Sequence, residues 1–187
     1  FYRQRGYGYA WRSSRQVESL LQLANGSVDE GLRPSDFHAE EIRDAVGGLA
    51  PSDFPASTRV DADILLSDSL LRLIHHRRYG KVDPQSLDDS WNHMQVPFAN
   101  DLVRELERAV AAGDLQGEVE GLASRPSFYT RLKKGLERYR GIVAAGGWPG
   151  VPAGKTLKPG MGDSRMPAMR ERLRTTGDYQ GTLSDSL

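Results

Sequence analysis

The sequence predicts an all-α protein. Apolar residues recur at the 3.6-residue spacing of helices in nearly every periodic segment, and alternating runs rich in Val, Ile or Thr are almost absent. With 187 residues, the chain is long enough for one domain with a core, or one domain and part of a second. We therefore expect a multi-helix domain over residues 1–145.

Two short helices are predicted to open this domain. The first follows Ser13–Ser14 and stops at Asn25–Gly26. The second follows a turn at Pro34, takes Ser35 or Asp36 as its cap and ends at Gly47–Gly48. The apolar positions of the first helix are Val17, Leu20, Leu21 and Ala24.

The strongest pattern predicts a helix over residues 61–80. Its apolar surface is wide enough to indicate burial on more than one side. Basic residues crowd its end, where they favour the helix dipole, and Gly80 terminates it. Tyr79 and Trp91 are expected to hold the following loop in place. The apolar positions are Ile64, Leu65, Leu66, Leu70, Leu71, Leu73 and Ile74.

Two more helices are predicted over residues 100–113 and 127–145. Asn100 and Ser127 are their cap candidates. The first should bury a stripe of five apolar residues: Leu102, Val103, Leu106, Ala109 and Val110. The second carries its larger residues on one face: Tyr129, Leu132, Leu136, Tyr139 and Val143.

The character of the chain changes at Gly146. Residues 146–162 mix prolines with abundant glycines, which predicts an extended connector or a short hairpin. A last helix should begin at Asp163 or Ser164, direct three apolar side chains inward and end at Gly177. One helix cannot bury its own apolar face, so residues 163–187 are expected to open a second small domain. The inward residues are Met166, Met169 and Leu173.

The stretch PGVPAGKT in the connector resembles the end of a phosphate-binding loop. The full pattern requires a glycine where Pro149 stands, and the loop must lead into a helix. Pro159 would end a helix begun at Lys155. No nucleotide partner is therefore predicted.

Composition excludes several classes of function. Twenty-five basic residues balance 25 acidic ones, so no global charge favours nucleic acid or an anionic membrane. The absence of cysteine excludes disulfides, thiolate nucleophiles and cysteine-based zinc sites within these residues. The start, FYRQRGYGYAW, is no signal peptide; we interpret it as a processed or trimmed segment, and expect the protein to continue beyond Leu187.

Histidines suggest no metal site and no cofactor. Adjacent helical residues point about 100° apart, so His75 and His76 are poorly placed to share one ion. His38 and His93 are isolated and are expected to satisfy local hydrogen bonds.

Paired acids could serve glycoside hydrolysis, which needs one proton donor and one base or nucleophile. Each pair lies at an expected helix start or turn, where capping is the favoured interpretation. Nor does a G-x-S-x-G turn frame Ser67 or Ser69 for a triad with His75, so no catalytic residue is assigned. The pairs are Glu40–Glu41, Asp61–Asp63 and Asp88–Asp89.

Aromatic residues supply the only binding candidates. Tyr7, Tyr9 and Trp148 could contact a glycan or a neighbouring domain. The alternative for the aromatic start is packing against the helical body.

Taken in order, these pieces resemble the N-terminal scaffold of large bacterial murein L,D-transpeptidases. The resemblance rests on FYRQRGYGYAW, on GLRPSDFH and on LLSDSLLRLIHHRRYGKVDPQSLDDSW. It continues through YRGIVAAGGWPGVPAGKTLKPGMGDSRMPAMRERLRTTGDY, where the family joins its scaffold to a peptidoglycan-binding module. By this resemblance, PGVPAGKT belongs to an interdomain connector, and Asp163–Asp178 match the opening of a truncated binding module.

The resemblance implies a non-catalytic scaffold in the periplasm of a Gram-negative envelope, anchored by an N-terminal segment outside this sequence. Its partners would be peptidoglycan, its stem peptides and a C-terminal catalytic domain. That domain's S-x-G-C-x-R cysteine is absent here, so the acyl transfer would occur elsewhere in the protein. Two alternatives are a standalone cell-wall-binding or interaction protein, and a hydrolase that uses carboxylate pairs.

Overall fold

The protein is described by a computed structural model over residues 1–47, 51–90, 99–122 and 127–181. Within these ranges every regular element is a helix, which confirms the all-α prediction. Short 3₁₀ turns lie at Ser27–Glu30, Pro34–Phe37, Pro51–Asp53 and Pro84–Ser86. The α-helices are α1 (Ser14–Gly26), α2 (Ala39–Val46), α3 (Ala56–Tyr79), α4 (Ala99–Ala111), α5 (Leu115–Gly121), α6 (Ser127–Ala144) and α7 (Met166–Thr176).

The chain forms two compact units, Phe1–Ser127 and Phe128–Leu187. Almost all of α6 therefore belongs to the second unit. The predicted limits at residues 145 and 162 divide the chain by the expected role of each segment, which compactness does not test. They stay predictions.

Helix α3 is the centre of the first unit. It contacts α1, α2, α4 and α5, so side chains on several of its faces are buried, as the wide apolar surface predicts. Ile64 is the exception, with half of its surface exposed. The fully buried large residues around this helix include Trp11, Leu20, Phe37, Ile42 and Val119.

Helix α3 also starts earlier than predicted, at Ala56 instead of residue 61. Pro55 precedes it, and a proline just before or at the first helical position costs no hydrogen bond because that N–H has no helical partner. Gly80 ends the helix with φ 87°, as expected for a residue outside the right-handed region.

The cap of α2 differs from the prediction. The helix begins after His38, which has φ 54°, and neither Ser35 nor Asp36 caps it. Asp36 instead accepts a hydrogen bond from the Arg33 N–H at 3.1 Å within the preceding 3₁₀ turn. Gly47 ends α2 at φ 51°, which confirms the predicted stop.

Helix α5 was not predicted. Asp114 caps it by accepting a hydrogen bond from the Gly117 N–H at 2.9 Å. A Cβ at Gly117 would lie 2.3 Å from the Asp114 carboxylate, so glycine makes room for the cap. The two glycines in this seven-residue helix lower its intrinsic propensity and hide it in the sequence.

The second unit packs less tightly. None of the residues of α6 or α7 is buried. The predicted face of α6 is largely exposed, with Leu132 at 67% and Val143 at 66%. In α7, Met166 and Met169 are half-buried, but Leu173 is exposed, so its inward prediction was wrong.

Candidate functional site

The N-terminal segment, residues 1–12, is fastened to α3 by one buried carboxylate. Asp63 is 4% exposed and accepts hydrogen bonds from the backbone N–H of Ala10 at 3.1 Å and of Trp11 at 3.0 Å. The Tyr2 hydroxyl lies 2.8 Å from the same carboxylate. Hydrogen bonds to a charged group are about twice as strong as neutral ones, and here they compensate the burial of the charge.

Ser67 lies one helical turn after Asp63 and contacts the same segment. We call the cluster of Tyr2, Trp11, Asp63 and Ser67 the anchor. The Trp11 indole Nε1–H donates to Ser67 Oγ at 3.0 Å, and the Tyr2 hydroxyl lies 2.8 Å from that oxygen. Burial raises the pKa of Tyr2, and the neighbouring Asp63 adds to the rise, so the phenol stays protonated. Trp11, only 1% exposed, thereby enters the core with its polar atom satisfied.

The anchor corrects the capping interpretation of the Asp61–Asp63 pair. Because α3 begins at Ala56, neither residue lies in its first turn. Asp61 is exposed, whereas Asp63 is an internal ligand for backbone amides. Glu40 and Glu41 do lie in the first turn of α2, and Asp88 accepts from the Ser90 N–H at 2.9 Å in a turn, as predicted.

A cleft of about 420 Å³ opens between the N-terminal segment and α4. On its α4 side, Glu107 accepts a hydrogen bond from Arg5 at 2.6 Å. On its other side, the guanidinium of Arg59 covers the ring of Tyr9 at 4.2 Å. The cleft is lined by Gln4, Arg5, Gly8, Tyr9, Arg12 and Glu107.

A second cleft, of about 260 Å³, lies between the start of α1 and the residues that join α4 to α5. Its lining begins at Ser13, the residue after Arg12, and includes Arg15. Gln16 also lines it and donates its amide to the Val110 carbonyl at 2.8 Å.

Tyr7 and Tyr9 differ in their surroundings. Tyr7 is 76% exposed and has φ 61°, directly after Gly6 at φ 60°. Tyr9 is half-buried, with Arg59 stacked on its ring. Tyr7 therefore offers a free aromatic surface, whereas Tyr9 already has a partner on one face.

Trp148 lies in the second unit and links three of its segments. The Tyr139 ring of α6 meets the indole edge-on, with centroids 5.9 Å apart. The Arg172 guanidinium of α7 lies 5.2 Å from the indole centroid and contacts the Pro149 carbonyl at 3.5 Å. The connector is thereby held between the two helices, which gives Trp148 a packing role whether or not it also contacts a ligand.

The glycine of the Gly-Lys-Thr stretch, Gly154, lies against the side chain of Arg165. Arg165 donates to the Lys155 carbonyl at 2.8 Å and to the Asp163 carboxylate at 2.8 Å. A Cβ at Gly154 would lie 2.5 Å from the Arg165 guanidinium carbon. No helix begins at Lys155, whereas a phosphate-binding loop leads into one.

The two serines weighed for a triad have other hydrogen-bond partners. Ser69 donates to the Phe37 carbonyl at 2.7 Å, and Ser67 belongs to the anchor, so no triad with His75 exists. In the described ranges, no group of three or more His, Asp or Glu side chains could hold a metal ion, and no helix is long and apolar enough to cross a membrane.

The histidines have structural surroundings. His38 lies 2.8 Å from Asp68, which also accepts from Arg72 at 2.6 Å. Burial opposes ionisation of Asp68, but these two hydrogen bonds outweigh it and lower its pKa. Burial lowers the pKa of His76, with the nearby His75 adding to the effect. His93 and Trp91 lie outside the described residues.

Comparison with known families gives a match over most of the chain. A family model of the Scaffold domain matches residues 1–136. The chain belongs to this family. No curated protein and no solved structure matches it. The match covers the anchor and both clefts, which therefore lie inside the Scaffold domain, whereas Trp148 lies outside the matched residues.

Sequence reasoning named Asp63 in a capping pair and Ser67 as a rejected triad serine, and so missed their role in the anchor, and it singled out neither Tyr2 nor Trp11. Asp63 and Ser67 stand one turn apart among buried α3 positions such as Leu66 and Leu70. Polar residues at that spacing on an apolar face indicate an internal hydrogen-bonded site, because buried polar groups need partners. This signal was present in the sequence.

Proposed function

We propose that this chain is the non-catalytic scaffold portion of a periplasmic L,D-transpeptidase that cross-links peptidoglycan stem peptides. The observation that supports the proposal most is the Scaffold domain match over residues 1–136. The transpeptidase context rests on the connector motif around Trp148 and Arg165, which resembles the junction to a peptidoglycan-binding module.

In the proposed reaction, a cysteine thiolate outside these 187 residues attacks the carbonyl of a donor stem peptide and forms a thioester, while the peptide bond at that carbonyl breaks and the residue beyond it leaves as a protonated amine. The amine of an acceptor diamino acid then resolves the acyl-enzyme and regenerates the thiol. The chain has no cysteine, so its own role would be to hold the other domains in place. The buried anchor and the Trp148 contacts give both units fixed local geometry for that task.

An intact mass and a thiol titration on the native protein test the proposal. The protein would be captured from envelope extracts with antibodies raised against residues 1–136. A mass above 20.7 kDa with at least one reactive thiol is expected. A mass near 20.7 kDa without a thiol would overturn the proposal in favour of a standalone cell-wall-binding or interaction protein.

The proposed activity can be measured as the amount of cross-links in the cell wall. Deletion of the gene should reduce direct cross-links between diamino acids in purified peptidoglycan, and the full-length gene should restore them. Restoration by a full-length version in which the proposed nucleophilic cysteine, outside residues 1–187, is changed to alanine would contradict the thioester mechanism.

A further inference from the structure

We propose that helix α6 binds the surface of an anionic phospholipid bilayer, with a row of exposed apolar side chains placed among the lipid headgroups. This row, formed by Phe128, Leu132, Tyr139 and Val143, is called the α6 stripe. The inference goes beyond the proposed function and does not rest on it, because it uses only the charge and the exposed side chains of the second unit.

The α6 stripe is a continuous apolar surface in contact with water. Its side chains are exposed by between 51% for Tyr139 and 67% for Leu132. At 3.6 residues per turn, the four positions project within about 60° of one another, so they form one line along the helix. Single exposed apolar residues are ordinary, whereas a contiguous row of them marks a surface that meets a partner or a membrane.

The balanced charge of the whole chain conceals an asymmetry between its two units. Residues 128–187 contain 11 Lys and Arg against five Asp and Glu, whereas residues 1–127 contain 14 against 20. The second unit therefore has a net charge of +6 and the first a net charge of −6 at neutral pH. An excess of positive charge attracts a protein segment to the anionic headgroups of a bilayer.

The charged residues of α6 flank the stripe and do not interrupt it. Arg131 and Arg138 project on one side, and Lys133 and Arg140 on the other, each about 90–110° from the centre of the stripe. Basic side chains in such positions reach the headgroups while their stems stay beside the apolar residues. Glu137, the single acid of the helix, projects about 150° from that centre, so it would face the water.

The aromatic residues of this face also favour an interface between water and lipid. Tyr139 belongs to the stripe, and its ring meets that of Trp148 with centroids 5.9 Å apart. Tyrosine and tryptophan prefer the headgroup level of a bilayer, because one part of each ring system is apolar and another forms hydrogen bonds.

A second copy of the chain fits the stripe less well than a bilayer does. Two α6 helices paired along their stripes would bring the same basic flanks together, and like charges repel. A polyanion in water would satisfy the flanking cations but leave the apolar row exposed. A bilayer surface offers anionic groups and hydrocarbon at adjacent depths, which matches both features of the helix.

Binding can be measured by co-sedimentation of the 187-residue chain with vesicles at physiological salt. Vesicles that contain phosphatidylglycerol are compared with vesicles of phosphatidylcholine alone. We expect at least about tenfold tighter binding to the anionic vesicles, because each basic residue near such a surface contributes about fivefold in affinity. Equal binding to both kinds of vesicle, or sedimentation with neither, would overturn the proposal.

A matched pair of leucine variants tests the apolar stripe. Leu132→Ser should weaken binding to the anionic vesicles at least about tenfold, because an apolar side chain no longer enters the headgroup layer. Leu87→Ser is the control, at a leucine that is 77% exposed in the first unit. Both changes are at exposed positions, so circular dichroism should show an unchanged helix content. Unchanged binding in Leu132→Ser, or an equal loss in the two variants, would reject the stripe.

Two charge variants within α6 test which face meets the lipid. Arg131→Gln should weaken binding about fivefold, because Arg131 flanks the stripe. Lys134→Gln is the control: Lys134 is equally exposed but projects about 150° from the centre of the stripe, so its loss should cost less than about twofold. Equal losses would indicate a general charge effect and overturn the assignment of this face.

The absence of cysteine allows a single fluorescent label to be introduced. A polarity-sensitive fluorophore on Val143→Cys should shift its emission to shorter wavelengths on anionic vesicles. The same label on Thr130→Cys, at an exposed position on the opposite face, should not shift. A shift at both positions, or at neither, would contradict the proposed orientation.

A last comparison separates a lipid surface from an acidic protein partner. Polyglutamate should not displace the chain from anionic vesicles at physiological salt, because it offers no hydrocarbon to the stripe. Displacement by polyglutamate would assign the face to an acidic polypeptide and overturn the inference. These measurements require neither a thiol nor peptidoglycan, so their failure is distinct from a failure of the mass and thiol test.

Discussion

The two units of the chain are stabilised in different ways. Every buried hydrophobic residue among the described ones lies between Ala10 and Val119, in the first unit. The second unit is held by contacts at half-exposed side chains, above all those of Trp148 and Arg165. Apolar burial contributes to stability in proportion to area, whereas exposed stacking and ion pairs contribute little each. The first unit should therefore unfold cooperatively, and the second should respond to single surface contacts.

The largest effect is expected from Trp11→Ala. Removing a large aromatic side chain that is 1% exposed should lower the free energy of unfolding by about 3–5 kcal/mol. Urea denaturation followed by circular dichroism measures this loss. Tyr7→Ala, at a side chain 76% exposed, is the matched control and should change stability by less than about 0.5 kcal/mol. Similar losses in both variants would mean that the first unit lacks the core described here.

A smaller effect should follow Asp63→Asn. The side-chain amide would place an N–H group against the backbone N–H of Ala10 or Trp11, which costs about 2 kcal/mol. Hydrogen exchange at those two amides should accelerate before that of the α3 amides. The exposed Asp61→Asn provides the control. Unchanged protection at both amides would show that the anchor does not depend on the carboxylate.

Trp148→Ala should have a still smaller and more local effect. Loss of the Tyr139 and Arg172 contacts should cost about 1 kcal/mol, confined to the second unit. Chemical shifts of the second unit should move while those of Trp11 and its neighbours stay fixed. Retained binding of this variant to purified sacculi would remove Trp148 from the glycan-contact candidates. Met161→Ala, at an exposed apolar residue of the same unit, serves as the comparison.

The smallest effect concerns pH. The hydrogen bonds from Arg165 lower the pKa of Asp163 from 3.8 to about 2. A carboxylate whose pKa is lower in the folded state stabilises the fold above its unfolded pKa, and this contribution is lost as pH falls through the folded value. Between about pH 4 and pH 2, the connector contacts near Arg165 should therefore loosen. An NMR titration should show this transition in the native chain and lose it in Asp163→Asn; a transition near pH 4 in the native chain would contradict the contact.

Sequence periodicity predicted the helices because their repeating apolar residues and end signals are local. It placed α1 within one residue of its observed start, since Ser13 and Gly26 mark its limits. The path of the connector was not predictable. Trp148 is paired with Tyr139 and Arg172 through a turn of the backbone that no local pattern encodes.

The functional surfaces were harder to predict than the fold. Tyr9 was chosen for its ring, but Arg59, fifty residues along the chain, determines which side of that ring is open. The first cleft joins Arg12 to Glu107 and the second joins Ser13 to Gly113, and only folding brings these residues together. Residue types indicated possible contacts, while tertiary structure determined which of them share a cleft.

The close approach of Gly154 to Arg165 has a consequence for substitutions in the connector. The space that a methyl group would need at residue 154 is filled by the guanidinium, which Asp163 and the Lys155 carbonyl hold in place. A larger residue at position 154 is therefore compatible only with a shorter or displaced side chain at position 165. Such a substitution should therefore weaken the hydrogen bonds that Arg165 donates to Asp163 and to the Lys155 carbonyl.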